Sequence, residues 1–388
     1  MVRTIAIGLF LLCFVFGLWL AQRRPLWCDE VFSQVTQVQA LSYREIWFER
    51  KAEPNRSPLF YVVQKIVCDV FHFRLPQGWP ANQELSDVRA QFVMRLAPNV
   101  FMSLSLAVLF YFFARHYSLG IGFYAFLTGL SSVMVWDYWI EARHYALWFL
   151  LTTLQTIVFL RILHNRQPHS SQWKQLALIH GMLAFTNILS VIQIAGASVF
   201  LWIFKQKKFN DYIWAAVVPL LICAMYYDPS LSSSFVVKGN PFGLEETVVH
   251  REWMYVFLIY GIFLGFGRNA QHKHFVLFVT ALIVASSGMV AYYKFAGHGD
   301  GRLFAHRYLL YLVPITIMGL TCLVADIFRV FKHDRWICTM LTIILGGLLL
   351  IRLLRTYMLV LGIFHWNPPG PLTFHWQAIV DALRNAGG

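Results

Sequence analysis

Long apolar runs recur from end to end in this 388-residue chain, and they limit its possible folds more than any other feature. Each is close to the ~20 residues an α-helix needs to cross the hydrocarbon core of a bilayer. Segments 4–21, 92–114, 120–138, 143–162, 174–188, 190–204, 211–227, 253–267, 274–293, 307–329 and 336–362 read as spans, eleven in all. Charge is scarce: 13% of the residues are charged and 58% hydrophobic, where a soluble domain carries roughly 25% charged residues. Inside lipid every backbone polar group has to be satisfied, which leaves helices and closed barrels as spanning structures. The length of the runs selects helices. The expected fold class is all-α, a polytopic helical membrane protein of about eleven transmembrane helices.

Segment 57–73, "SPLFYVVQKIVCDVFHF", is apolar as well, but Gln64, Lys65 and Asp69 lie about one helical turn apart in it. Those residues suit a helix lying along the interface better than one crossing the core. With 57–73 kept off the count of spans, loops 114–120, 161–175, 205–211, 267–274 and 328–335 fall on one side, and each carries Lys or Arg. That is the signature of cytoplasmic loops. The opposite side receives 22–91, the turns near 139–142 and 189, then 228–252, 294–306 and 363–388. The expected topology has a cytoplasmic N-terminus and an outer C-terminus, in the plasma (inner) membrane. The first span has one Arg before it and no A-x-A cleavage site, so it reads as a retained helix and not a signal peptide.

Residues 1–362 are expected to form one transmembrane domain, and 363–388 a short outer tail with no separate soluble domain. In the tail a Pro-Pro-Gly-Pro break precedes Phe374, Trp376, Ile379 and Leu383 on one helical face, which suits a membrane surface. Loop 228–252 has the Gly, Pro and Ser punctuation of a mobile segment, able to close over a substrate or simply to connect spans.

A net charge of +13 would suggest nucleic acid in a soluble chain. Here the basic loops are explained by helix orientation, and no nucleic-acid partner is expected. There is no Walker A motif and no G-x-G-x-x-G opening a βαβ unit, hence no nucleotide site. The six cysteines are scattered, four of them inside apolar runs. They read as small buried apolar residues, a Cys28–Cys68 pair being the alternative if both face an oxidising side. The fourteen histidines are dispersed without metal-ligand spacing.

With this sidedness the unusual polar residues gather at the outer surface. Asp29 and Glu30 stand in "LWCDEVFSQ" just after the first span, and "NRSPLFY" (55–61), "EARHY" (141–145) and "GHGDGRLFAHRY" (297–308) share their side. Each has a local explanation: an acid capping a helix, an Arg reaching for headgroups. As a set they point further, because ionisable groups at membrane depth pair with one another or line a cavity. A carboxylate at a cavity can act as general base on an acceptor hydroxyl, or orient it. Arginines can hold a phosphate leaving group and stabilise the charge that builds on it. Together they suggest group transfer from a lipid phosphate.

The order of these segments resembles a known family. The chain shows "DE" in the first outer loop, a basic residue before "PLFY", then "RLAPNVFMSLSLAVLFYFFARHYSLG", "YWIEARHYAL" and late "HRYLLYLVP". This is similar to the membrane glycosyltransferases of the GT-C fold, in the branch of bacterial lipid A aminoarabinose transferase and the protein mannosyltransferases. The resemblance covers most of the N-terminal half and one stretch near 306–314. It implies a polyprenyl-phosphate (undecaprenyl-phosphate) sugar donor and a cell-envelope acceptor: lipid or lipopolysaccharide, polysaccharide, or protein. It also implies inversion at the anomeric carbon.

By position, Asp29 would be the catalytic base or acceptor-orienting carboxylate, with Glu30 beside it and Glu141 as the second acid. Arg56 and Arg143 would contact the donor phosphate. Arg307 and Tyr308 match the late R-Y pair, with His306 adjacent, and Tyr61 and Tyr145 would line the substrate site. The resemblance requires no cofactor and admits a divalent cation near Asp29 or Glu141. The chain departs from the family at Ser57, where a Pro is usual, and in "WIEAR". A transporter or flippase of a lipid-linked sugar is the alternative class. It would bring inverted repeats and charges near the bilayer midplane, whereas here no repeat is visible and the charges sit at span ends.

Overall fold

The structure is a computed structural model describing residues 1–48, 58–76, 86–165, 168–204, 209–226, 272–295 and 306–363. Every regular element among the described residues is helical. Helix α1 covers Val2–Arg23, α2 Cys28–Ser33 with a π-helical continuation over Gln34–Gln39, α3 Tyr43–Phe48 and α4 Pro58–Val70. Next come α5 (Val88–His116), α6 (Leu119–Leu130), α7 (Val133–Trp139), α8 (Tyr145–His164), α9 (Ser170–Ala184) and α10 (Ser190–Phe204). A short α11 (Phe209–Tyr212) leads through a π turn at Ile213–Val217 into α12 (Val218–Tyr226). The last elements are α13 (Lys273–Phe295), a 3₁₀ turn at His306–Leu309, α14 (Leu312–Val330) and α15 (Arg335–Ile363). The expected span 253–267, the loop 228–252 and residues 364–388 lie outside the described residues.

Among the described residues, helices α1, α5, α8, α14 and α15 are long and apolar enough to cross a membrane, five such helices, or six if α6 and α7 count as one bent span. Helix α10, the α11–α12 stretch and α13 are apolar but shorter. Leu12, Trp202, Ile203, Leu350, Ile351 and Leu354 stand on the outside of the bundle. So much bare apolar surface is expected of a protein that meets lipid and not water. Among the described residues the chain is all-helical, with several apolar helices that could span a membrane.

Helix α5 is the central element, packed on α1, α4, α6 and α8. Helix α8 is buried nearly throughout, with Trp148, Phe149 and Leu160 wholly inside. Helix α4 is the segment expected along the interface, and its 13 residues reach only about 20 Å. Its polar residues are all used: Gln64 Nε2 donates to the Met94 carbonyl (3.0 Å) and Lys65 Nζ to the Val38 carbonyl (2.9 Å). Asp69 Oδ2 accepts from the Tyr43 hydroxyl at 2.5 Å, and that bond pushes the exposed Tyr43 phenol up to about 12.

The expected continuous span 120–138 is instead two helices, α6 and α7, bent by 69°. The break falls at the Ser131-Ser132 pair, where serine can satisfy the backbone groups that a broken helix releases. Ser131 Oγ donates to the Thr128 carbonyl (2.8 Å) and Trp136 Nε1 to the Leu130 carbonyl (2.7 Å). The Ser131 carbonyl itself accepts from Thr356 Oγ1 on α15 at 2.7 Å. Freed carbonyls therefore keep partners, and the bend re-aims α7 toward the end of α1.

A close approach fixes α1 against α5 and α7. Asn99 Nδ2 donates to the Phe14 carbonyl (2.8 Å), and Asn99 Oδ1 accepts from Trp139 Nε1 (3.0 Å). Only a residue without Cβ fits opposite: a Cβ on Gly17 would lie 1.8 Å from Asn99 Oδ1 and 2.9 Å from Trp139 Nε1. Gly17→Ala is expected to lower stability by about 1–3 kcal/mol through overpacking. Gly8→Ala, where a Cβ would meet nothing within 4 Å, is expected to be silent. Thermal unfolding of both variants in detergent checks the pair.

All six cysteines are free thiols. The Cys28–Cys68 alternative is not realised, because Cys68 faces the π turn and its Sγ accepts from Gln34 Nε2 at 3.3 Å.

Candidate functional site

Asp29 and Glu30 open α2, and neighbours on a helix point roughly 100° apart. That angle sends them to opposite fates. Glu30 turns inward and is 1% exposed. Its carboxylate accepts Arg95 Nε on Oε1 (3.0 Å) and Arg95 Nη2 on Oε2 (2.6 Å), a bidentate pair. It also accepts the Trp27 N–H on Oε2 (3.0 Å) and the Ala142 N–H on Oε1 (2.7 Å). The Trp27 bond is the cap that an acid three residues into a helix makes; the Ala142 bond reaches across to the "EARHY" turn.

Arg95 is also 1% exposed and has further acceptors. Its Nη1 donates to the Ala21 carbonyl (3.0 Å) and, by a very short contact, to the Arg24 carbonyl, and its Nη2 to the Pro25 carbonyl (2.9 Å). The carbonyls left over at the C-terminal end of α1 are thus satisfied by one guanidinium. Gln91 Nε2 adds a bond to the Arg24 carbonyl at 3.0 Å. The end of α1, the start of α2 and the turn between α7 and α8 are locked together around a buried ion pair.

Asp29 turns outward from this anchor. Its Oδ2 accepts from Arg143 Nη1 at 2.9 Å, with the carboxylate side chain 38% exposed and the guanidinium side chain 10%. Arg143 also lies over the Tyr145 ring, 5.5 Å from its centre, and Tyr145 packs on Tyr138 with centroids 4.7 Å apart. His144, next in the turn, is buried, and its Nε2 lies 2.8 Å from Asn187 Nδ2 at the junction of α9 and α10. Glu141 is buried in the same turn, 4% exposed. The structure therefore brings Asp29, Glu30, Glu141, Arg143 and Tyr145 to one end of the bundle.

The other expected residues are placed less directly. Tyr61 is buried in the first turn of α4, edge-on to Phe60 at 5.7 Å. Leu59 N–H donates to the Phe185 carbonyl (3.2 Å), so this turn meets the same end of α9 that holds Asn187. Tyr308 is half-buried in the 3₁₀ turn before α14. Three residues on, Tyr311 packs against Trp148, whose ring lies 6.5 Å from that of His144. Arg56 lies outside the described residues, as do the side chains of His306 and Arg307.

Among the described residues no three His, Cys, Asp or Glu side chains gather as a metal ion would need. Glu30 is committed to Arg95, so the carboxylates that could face a divalent cation are Asp29 and Glu141. Arg95, the Ala142 N–H and Asn187 are the parts of the site that sequence reasoning missed. A lone Arg inside the apolar run "QFVMRLAPNV" was the available signal, since a charge at that depth needs a partner. Chemically, the arrangement offers an accessible carboxylate and a guanidinium in contact, both mounted on a rigid support. Comparison with protein-family models and with curated proteins yields no match for this chain.

Proposed function

We propose that this protein is a membrane glycosyltransferase of the GT-C type, which moves a sugar from a polyprenyl-phosphate carrier to a cell-envelope acceptor on the outer face of the plasma membrane. The observation that carries the reading is the Asp29–Arg143 pair, part-exposed and braced by the buried Glu30–Arg95 pair. In the reaction the acceptor oxygen bonds to the anomeric carbon from the face opposite the phosphate. The bond from that carbon to the phosphate oxygen breaks, its electron pair stays on the phosphate, and the configuration inverts. Asp29 takes the proton of the acceptor hydroxyl, or aims the hydroxyl while water takes its proton, and Arg143 stabilises the charge on the departing phosphate.

Glu30 holds the frame in this scheme and does not touch substrate. Glu141 and Tyr145 flank the acceptor side, while Tyr61, Arg56 and the 306–308 stretch belong to the donor side. No step needs a divalent cation. Eleven spans with a cytoplasmic N-terminus would put this end of the bundle outside.

Mass analysis of envelope glycans from cells lacking the protein tests the proposal. One sugar is expected to vanish from its acceptor while its polyprenyl-phosphate form accumulates in the outer leaflet. Accumulation in the inner leaflet would favour a flippase, and unchanged glycans and carrier would reject both.

A further inference from the structure

The end of the bundle opposite Asp29 carries a second polar cluster. Helices α5 and α8 both begin near the Asp29 end and finish side by side at His116 and His164. Between their last turns and the first turn of α9 lies a cavity of about 340 Å³, whose polar lining is His116, Tyr117, Arg161, His164, Asn165 and Gln172. Among the described residues no carboxylate lines it. Behind it the Tyr117 hydroxyl lies 2.6 Å from His272 Nε2, and His272 Nδ1 lies 2.8 Å from Asp326 Oδ1. Asp326 is thereby engaged by His272.

Cationic side chains at helix C-termini are commonly explained by the helix dipole alone. A second cavity separates this place from that explanation. It has a volume of about 310 Å³ and is walled by Val108, Leu154, Ile157, Val158 and Ile179. Phe112 and Arg161 line both cavities, with the guanidinium over the Phe112 ring at 5.7 Å. From Arg161 back to Leu154 the groove follows α8 for about 10 Å toward the middle of the bundle. A pocket lined by one arginine and two histidines at the helix ends, sharing Phe112 and Arg161 with an apolar groove along them, matches an anionic headgroup with its chain. A free anion would occupy the pocket and leave the groove unused.

We propose that α5, α8 and α9 form a binding site for a membrane lipid with an anionic phosphate headgroup. Arg161, His116 and His164 hold the phosphate oxygens, and the groove beside Val108, Ile157 and Ile179 holds the first part of a chain. The site is separate from the transfer site and stands whether or not that reaction is confirmed.

The test uses the purified full-length chain in dodecylmaltoside micelles, titrated with phosphatidylglycerol, phosphatidylcholine or inorganic phosphate while the unfolding temperature is followed. Phosphatidylglycerol is expected to stabilise at about tenfold lower concentration than phosphatidylcholine, and inorganic phosphate to have no effect. Arg161→Gln is expected to weaken the phosphatidylglycerol response about tenfold, the effect of one charge-assisted hydrogen bond. Arg161 and His116 are exposed, so either can be neutralised without opening the core; His116→Gln is the second variant should the first fail to fold. Val108→Phe, which fills the groove, is expected to weaken the response with the basic residues intact. Equal responses to the two lipids overturn the proposal, as does retention of the preference in Arg161→Gln. So does inorganic phosphate acting as well as phosphatidylglycerol.

Discussion

Arg95→Met is expected to destabilise the protein by about 3–5 kcal/mol, because it leaves the Glu30 carboxylate charged and buried without its partner. The substitution also strips donors from the Ala21, Arg24 and Pro25 carbonyls, each of which then has to find another or go unpaired. Arg95→Lys keeps the charge but not the planar fork that meets Glu30 at two oxygens, so its loss should be intermediate. The informative comparison is a double-mutant cycle with Glu30→Gln. If the pair acts as a unit, removing both charges should recover much of the loss, since a neutral pair of similar volume is far less costly to bury than a single charge. SDS-driven unfolding in mixed micelles measures all four corners. Additive losses would mean that Glu30 and Arg95 stabilise independently, and the account of this anchor would fail.

The Arg95 anchor also shows what could be read from the chain and what could not. Helix α4 came out where Gln64, Lys65 and Asp69 had marked it as different from a span, because polar spacing along one helix is local information. The capping role of Glu30 was local too, set by its distance of three residues from Trp27. Its main partner was not, since Arg95 lies 65 positions away and only the packing of α1 on α5 joins them. The Arg143 partnership of Asp29 spans 114 positions and was approached only through the order of motifs.

The bend between α6 and α7 was missed for a different reason. Hydropathy sums the residues of 120–138 and is blind to a Ser-Ser pair whose side chains, with Trp136 and Thr356, cover the released carbonyls. Yet that bend sends α7 back to the Glu30 end, where the Ala142 N–H can reach the carboxylate. The apolar runs were legible in the sequence; the pairing that brings Asp29, Glu30, Arg95 and Arg143 together is tertiary.

Under the proposed reaction, Asp29→Asn is expected to lower the turnover of sugar transfer by about 10²–10⁴-fold, the usual range for loss of a general base, with protein abundance and unfolding unchanged. The side chain keeps its size and sits partly exposed beside Arg143, so folding has little reason to respond; Glu30→Gln, by contrast, should act on folding through Arg95. Arg143→Ala is expected to behave differently from Asp29→Asn. A group that binds the donor phosphate both before and during bond breaking should raise the apparent KM for the donor as well as lower kcat. Arg143→Lys, a point charge in place of a fork, should recover part of both. The two residues touch, so their effects should not add: with Asp29→Asn in place, removing Arg143 should cost less than it does in the wild type. Transfer kinetics on a purified preparation, with a polyprenyl-phosphate sugar as donor, would separate these outcomes. Wild-type turnover by Asp29→Asn would remove the carboxylate from the chemistry and leave the pair as a salt bridge holding the "EARHY" turn.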